Sequence, residues 1–417
     1  MLQPATPTAP APSSGTKARF FTLFYTLSSL AEGEQTVVLL WLTYTLTSNA
    51  FLVSVMVVLG YLPSAIVGLV FKRLADQGQA DWMARRTNSV LSVTSLLLAG
   101  QQLVSGNLVA LAITVIAVSQ AVLSMAKMIN KAALNRLIRN LFDKSQGKRV
   151  LEVSSSSSLI GQVVGAGVAG LLLAENWIVI GLLMAALSYA GSALFMVLAT
   201  RGYSEGTQES ASEVATTSAT GPTSRRPIHW TAALISVLVF SVPSSGALQF
   251  VTTMLVPLAH DLAPQEPTYY AELNVASIVG GFLAGILLSI NIVTARQVLA
   301  WALPMTCVLA LALAATPSRY LVTVIIFLIT LIIICHVICM QVLTNQTPRD
   351  HEIGQFAVLR NVVASLAKAV FAFAAGALIS LFGITTTSVV LAVSMAVFSL
   401  AWFVAQARAQ VFAAEPT

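Results

Sequence analysis

Residues 20–46 read FFTLFYTLSSLAEGEQTVVLLWLTYTL. About twenty apolar residues cross a bilayer as a helix, so this run is long enough to span one. It also carries two carboxylates, Glu32 and Glu34, near its middle. An ionised group in hydrocarbon is costly, so such residues face a protein interior or a water-filled cavity. At about 100° per residue, Glu32 shares a stripe with Tyr25, Ser28, Ser29, Gln35 and Thr36. Glu34 instead falls among Leu27, Leu30, Val38 and Trp41. Glu32 is therefore expected in a cavity and Glu34 against a neighbouring helix, with packing acids satisfied by hydroxyls as the alternative.

The chain around this stretch has 417 residues, 57% hydrophobic and only 9% charged, with a mean hydropathy of +0.84. A soluble domain would carry about a quarter charged residues, so the sequence describes a polytopic all-α membrane protein embedded in the lipid bilayer. The net charge of +6 points to membrane topology and not to nucleic acid. Cys307, Cys335 and Cys339 all lie in apolar runs and offer no disulfide framework. Residues 1–19 read as a disordered tail, and the stretch after Lys17 and Arg19 is too long for a cleaved signal peptide.

Reading for apolar runs gives about twelve helices: 20–46, 50–71, 87–104, 108–128, 150–173, 177–200, 230–255, 271–290, 297–315, 320–343, 354–381 and 385–407. Thr47-Ser48-Asn49, Ser105-Gly106-Asn107 and Glu175-Asn176 read as turns between hairpin pairs. The polar segment 201–229 reads as a flexible linker. It divides the chain into bundles at 20–200 and 230–407, with a short tail at 408–417.

Basic residues fall on one side. Lys72, Arg73, Arg85 and Arg86 follow helix two, and Lys127, Lys131, Arg136, Arg139, Lys144, Lys148 and Arg149 are assigned to the segment after helix four. Arg201, Arg225, Arg226, Arg296, Arg349 and Arg408 share that side, against Arg319 alone on the other. The positive-inside rule then places both termini in the cytoplasm, and a bacterial inner membrane is expected.

Two six-helix halves around a linker suggest a repeat-built transporter with its site between the halves. No Gly-x-x-x-x-Gly-Lys-Ser/Thr loop is present. The expected drive is an ion gradient, a proton gradient in the leading reading, with no bound cofactor. A receptor or scaffold would need a folded soluble module, which the linker and tails do not supply. An intramembrane enzyme would need a nucleophile–base set or a metal box, and neither is evident.

Several stretches resemble the major facilitator superfamily. Ser28-Ser29-Leu30-Ala31-Glu32-Gly33 and Leu46-Thr47-Ser48-Asn49-Ala50-Phe51 resemble the S-S-L-G-D-G and L-T-G-S-A-F start of the enterobactin-exporter and macrolide-efflux branch. On that resemblance Glu32 takes the place of the family's first-helix acid. Leu74-Ala75-Asp76 resembles the core of the loop motif G-x-L-A-D-R-x-G-R-R, with Arg85 and Arg86 as its basic pair. Residues 161–170, GQVVGAGVAG, are similar to the fifth-helix antiporter motif G-x-x-x-G-P-x-x-G-G, with Ala166 in the place of proline. The stretch Leu343 to Pro348, with Gly354 and Asn361, is similar to the loop into helix eleven of the same branch. The resemblance implies a facilitator fold and export of a small molecule, an anionic siderophore being favoured. Multidrug or macrolide efflux and lysophospholipid flipping are the alternatives, and a monomer is expected.

Lys368 lies midway along helix eleven, with Asn361 and Ser365 on its face. A mid-span ammonium needs a partner: an acid of helix one, an anionic substrate, or an ion pair within its own half. Gln120, Gln162 and Gln249 are candidate uncharged ligands, and Pro243 with Ser244, Ser245 and Gly246 can bend helix seven. Tyr25 joins the substrate set through the Glu32 stripe. His336 is a candidate proton relay, while Cys335, His336 and Cys339 fall short of a zinc site, which takes about four ligands. Arg360 is expected to snorkel or to form part of a gate, together with Asp76, Arg85 and Arg86. Ser154 to Ser158, Gly161, Gly165, Gly281 and Gly285 read as small-residue packing faces.

Overall fold

A computed structural model describes residues 14–75, 80–104, 109–142, 144–201, 230–264, 266–290, 292–349 and 353–409. The helices are α1 (Ser14–Thr47), α2 (Ala50–Ala75), α3 (Ala80–Val104), α4 (Val109–Leu141), α5 (Lys144–Ala174) and α6 (Ile178–Ala199). They are followed by α7 (Ala232–Leu262), α8 (Pro267–Ser289), α9 (Ala295–Ala315) and α10 (Arg319–Gln346). Gly383, at φ 77° and ψ 176°, interrupts the last stretch, Ile353–Ala409. It gives α11 (353–382) and α12 (384–409), so the described chain has the twelve expected helices and no strand.

Every helix is longer than, or close to, its sequence-based bounds. The turns fall where short polar residues tolerate left-handed backbone: Ser48 has φ 47° and Asn176 φ 56°. Thr231 caps α7 through its side chain, and Thr294 with Gln297 forms a capping box at the start of α9. Most of the large differences are at helix starts and ends facing the chain termini, although α7 also continues to Leu262 instead of stopping at 255. α1 begins at Ser14 instead of Phe20, α3 at Ala80 instead of 87, and α4 continues to Leu141 instead of stopping at 128. Charged residues there led the sequence reading to break helices that continue past the hydrocarbon. Asp76, Ser105-Gly106-Asn107 and most of the linker lie outside the described residues.

By length and hydropathy, seven helical stretches among the described residues are apolar enough to cross a membrane, and one of them, Leu359–Gln406, covers α11 and α12. Outward-facing Leu97, Leu171, Leu187, Trp301 and Leu400 supply an apolar surface suited to lipid.

The two halves repeat one packing scheme. α1 packs on α5 and α6, α3 on α6, and α2 on α4. In the second half α7 packs on α11 and on α12, the latter through Phe240 and Trp402, and α8 packs on α10. Glycines set the closest approaches. A Cβ at Gly165 would lie 2.0 Å from Leu30 O, and one at Gly161 2.4 Å from Thr26 O, so both must be glycine for α1 to lie on α5. In the second half Gly280 plays this part against Phe327. Gly285, expected to do so, has nothing within 4 Å.

The halves meet through α5 with α8 and through α2 with α11. The main apolar core runs through both, from Trp41 and Met56 to Met254, Tyr270 and Ala375.

Candidate functional site between the halves

The helical register of α1 places Glu32 and Glu34 about 200° apart, and the structure separates them accordingly. Glu34 is fully buried. It lies against Gly181 of α6 and, through its main chain, Gly165 of α5, and neither carboxylate oxygen has a hydrogen-bond partner. Glu32 is half-exposed on another side of the helix. Its Oε1 stands 3.4 Å from Nζ of Lys127, the two side chains being 42% and 30% exposed.

Lys127 is the residue sequence reasoning misplaced. Assigned to a basic segment outside the membrane, it lies inside α4, more than three turns before that helix ends at Leu141. The spacing of Gln120, Ser124 and Lys127 was the available signal. It sets one polar face on α4, and Ser124 Oγ donates to Gly60 O of α2 at 2.7 Å. Gln120 lies beside Gly60 as well.

Two tyrosines that the sequence did not single out complete the cluster. Tyr189 of α6 lies within electrostatic reach of Lys127 and Glu32. Its hydroxyl donates to Gln35 Oε1 at 3.2 Å, and Gln35 Nε2 donates to Ser95 Oγ at 3.2 Å. Tyr61 of α2 lies within electrostatic reach of both Glu32 and Lys127. Over its ring, 5.1 Å from the centroid, stands Nζ of Lys368 from α11. Tyr61 thus joins the charge pair of the first half to the mid-span ammonium of the second. Among the described residues, Lys127, Lys368 and Glu32 share this region, each half-buried.

The remaining candidates distribute as follows. Ser365 is half-buried beside Lys368 on α11, and Asn361 is exposed one turn earlier. Gln162 lies next to Gly33, which its carbonyl would meet at 2.3 Å if a Cβ were present. Gln249 is buried in α7. Tyr25 does not join Glu32: it packs edge-on to Phe24 at 5.4 Å in an apolar cluster with Phe21, at the terminal end of the first half. The stripe carries it two turns away along the axis.

Arg360 does not snorkel. It is 4% exposed, with Nε donating to Ser241 Oγ at 3.3 Å and Nη1 to Gln341 Oε1, inside the second half. His336 is fully buried within electrostatic reach of Arg360, and neither ring nitrogen has a hydrogen-bond partner. It belongs to that cluster and not to the Glu32 group. Cys335 and Cys339 pack with Phe240 and Trp402. Arg86 stacks on Trp82 at 4.2 Å and Arg85 is half-buried, both within α3. Their expected partner Asp76 lies outside the described residues.

Rings and small residues join the halves at the end away from the termini. Trp41 stacks on Tyr270 at 5.9 Å, Tyr44 meets His260 edge-on at 5.1 Å, and Phe51 meets Phe373 at 5.2 Å. Phe51 N donates to Ser380 Oγ at 3.0 Å. Gly170 would place a Cβ 2.0 Å from that of Ala271, and Gly376 one 2.3 Å from Ser54. This seam closes one end of the space that holds Glu32, Lys127 and Lys368.

The sequence profile of the Major Facilitator Superfamily matches residues 21–372. The chain belongs to that superfamily. The facilitator is accordingly a polytopic membrane transporter of the secondary type, with twelve helices in two pseudo-symmetric halves. Among curated proteins none matches this sequence. Among solved structures, the facilitator is similar to a bacterial homolog of the human lysosomal transporter Spinster in an inward-facing, unoccupied conformation. Identity is 12%, with a TM-score of 0.72 over 98% of this chain and 100% of that one. It is also similar to the inward-open xylose transporter XylE from E. coli, at 12% identity and TM-score 0.67, over 93% of this chain and 96% of that one. The nucleoside transporter NupG matches at 15% identity and TM-score 0.65, over 93% and 98%.

Proposed function

We propose that this facilitator exports an anionic small molecule, a siderophore being the favoured class, in exchange for protons across a bacterial inner membrane. The observation that carries the reading is the grouping of Lys127 and Lys368 with the carboxylate of Glu32 around Tyr61. The Glu32–Lys127 pair is half-exposed, so a substrate entering this region meets the ammonium groups of Lys127 and Lys368 directly. An anionic group on the substrate is attracted by these two ammoniums. Glu32 takes up a proton from outside as the substrate leaves, which weakens its hold on Lys127. Glu34, buried without a hydrogen-bond partner, is the second proton-carrying group. Loss of the proton on the opposite side restores the pair and resets the cycle.

With the termini in the cytoplasm, the seam of Trp41, Tyr270, Gly170 and Gly376 is the outer gate, and the conformation described faces inward. Positive-inside charge supports that orientation. A monomer suffices, since each half supplies residues to the site.

Two measurements test the reading. Inside-out vesicles should accumulate an iron-free siderophore only while a proton gradient is present, and Glu32→Gln should abolish this accumulation. Transport that survives both an uncoupler and Glu32→Gln refutes proton exchange. Iron-starved cells lacking the gene should retain siderophore, whereas unchanged secretion alongside increased drug sensitivity moves the substrate to the macrolide class.

A further inference from the structure

A groove lies away from the Glu32 group, between the first turns of α1 and α5. It encloses about 660 Å³ and is lined by Arg19, Leu23, Phe142, Gln146, Arg149 and Val153, among others. α1 and α5 both start at the terminal end of the bundle and run the same way, so Arg19 and Arg149 come to the same depth. Each arginine is followed four residues later, one turn deeper, by an outward-facing apolar side chain. Leu23 is 43% exposed and Val153 47%. Phe142 and Val150, both buried, form the floor. The groove is therefore cationic at its mouth and apolar along its length.

No acid is among the described residues lining it, and neither arginine has an ion pair among them. Both arginines are exposed, and the apolar runs read from the sequence begin beside them, at residues 20 and 150. The segment 1–13, MLQPATPTAPAPS, carries no acidic side chain. It cannot neutralise the pair.

We propose that this groove binds an anionic phospholipid from the surrounding leaflet. The guanidiniums of Arg19 and Arg149 hold the phosphodiester from two sides, and an acyl chain follows the wall of Leu23 and Val153. Guanidinium suits this role because its planar fork matches phosphate oxygens. The lipid bridges two helices, α1 and α5, whose glycine-mediated contact fixes the position of Glu32. The site is independent of which substrate the central cavity takes.

The test uses the full chain purified in detergent, titrated with phosphatidylglycerol or phosphatidylcholine and read by native mass spectrometry. Phosphatidylglycerol should be retained in preference to phosphatidylcholine. An interfacial basic residue contributes about 1 kcal/mol toward an anionic lipid, so Arg19→Ala or Arg149→Ala should each weaken retention about fivefold and the double variant about thirtyfold. Arg19→Lys with Arg149→Lys should recover part of the loss. Both side chains are exposed, so the single variants keep the test available if the double variant misfolds. Equal retention of the two lipids, or of phosphatidylglycerol by wild type and all variants, overturns the proposal. Displacement of the lipid by inorganic phosphate at equal concentration also overturns it, because the apolar wall would then contribute nothing.

Discussion

Gly170 of α5 and Ala271 of α8 belong to different halves, yet a Cβ on the glycine would lie 2.0 Å from that of the alanine. No side-chain adjustment relieves such an overlap, because both atoms are fixed to helix backbones. The seam is thus closed by shape. Overpacking a tight contact costs about 1–3 kcal/mol, and about 1.4 kcal/mol changes a two-state ratio tenfold. Gly170→Leu should open the seam in most molecules. Spin labels on Thr45 and Asp261, both exposed near it, should report longer separations in this variant than in wild type. Gly285→Ala, at a position with open space, should leave them unchanged. Unaltered separations in Gly170→Leu would show that the seam does not gate.

The ion pair of Glu32 and Lys127 is partly exposed, so its contribution to stability is small. A double-mutant cycle of Glu32→Gln and Lys127→Met, read by thermal unfolding in detergent, should give a coupling of about 1 kcal/mol or less. Transport should fall in all three variants. The charge swap Glu32→Lys with Lys127→Glu should recover the coupling while transport stays low, since the acid then stands on α4. A swap that unfolds as readily as the worse single variant would mean that the two groups do not interact directly.

Glu34 presents the opposite balance. A buried polar group without a hydrogen bond costs about 1–3 kcal/mol. Glu34→Leu should therefore raise the thermal midpoint by a corresponding amount, while uncoupler-sensitive transport falls. A more stable protein with full transport would reduce Glu34 to packing, and a less stable one would mean that the carboxyl has partners after all.

Arg360 holds Ser241 on α7 and Gln341 on α10 with different nitrogens of one guanidinium. Lysine cannot reproduce that fork. Arg360→Lys should lower the thermal midpoint by the equivalent of about 1–3 kcal/mol, with the loss confined to the second half in hydrogen exchange. An unchanged midpoint would show that the buried charge can rearrange.

The fold was legible because apolar runs of membrane length are a strong signal and the turns at Ser48 and Asn176 carry residues suited to positive φ. The opposed placement of Glu32 and Glu34 followed from helical angle alone. What the periodicity lacked was distance along the axis: Tyr25 shares the stripe of Glu32 but lies about 10 Å further down the helix. Lys127 was lost for a different reason. A lysine near the end of an apolar run reads as a topology charge, and only α4 continuing to Leu141 shows it to be interior. Arg360 was misjudged in the same way. Tyr61 and Tyr189 carried no signal, since an aromatic in an apolar helix is ordinarily core, and their roles depend on partners from other helices.

A single residue, Gly383, connects α11 to α12. The corner has no slack, so any displacement of Lys368 and Gly376 on α11 drags the outer helix along with it. For the same reason this corner offers nothing to a protease and no room for an epitope tag, because both need an exposed loop that can deform.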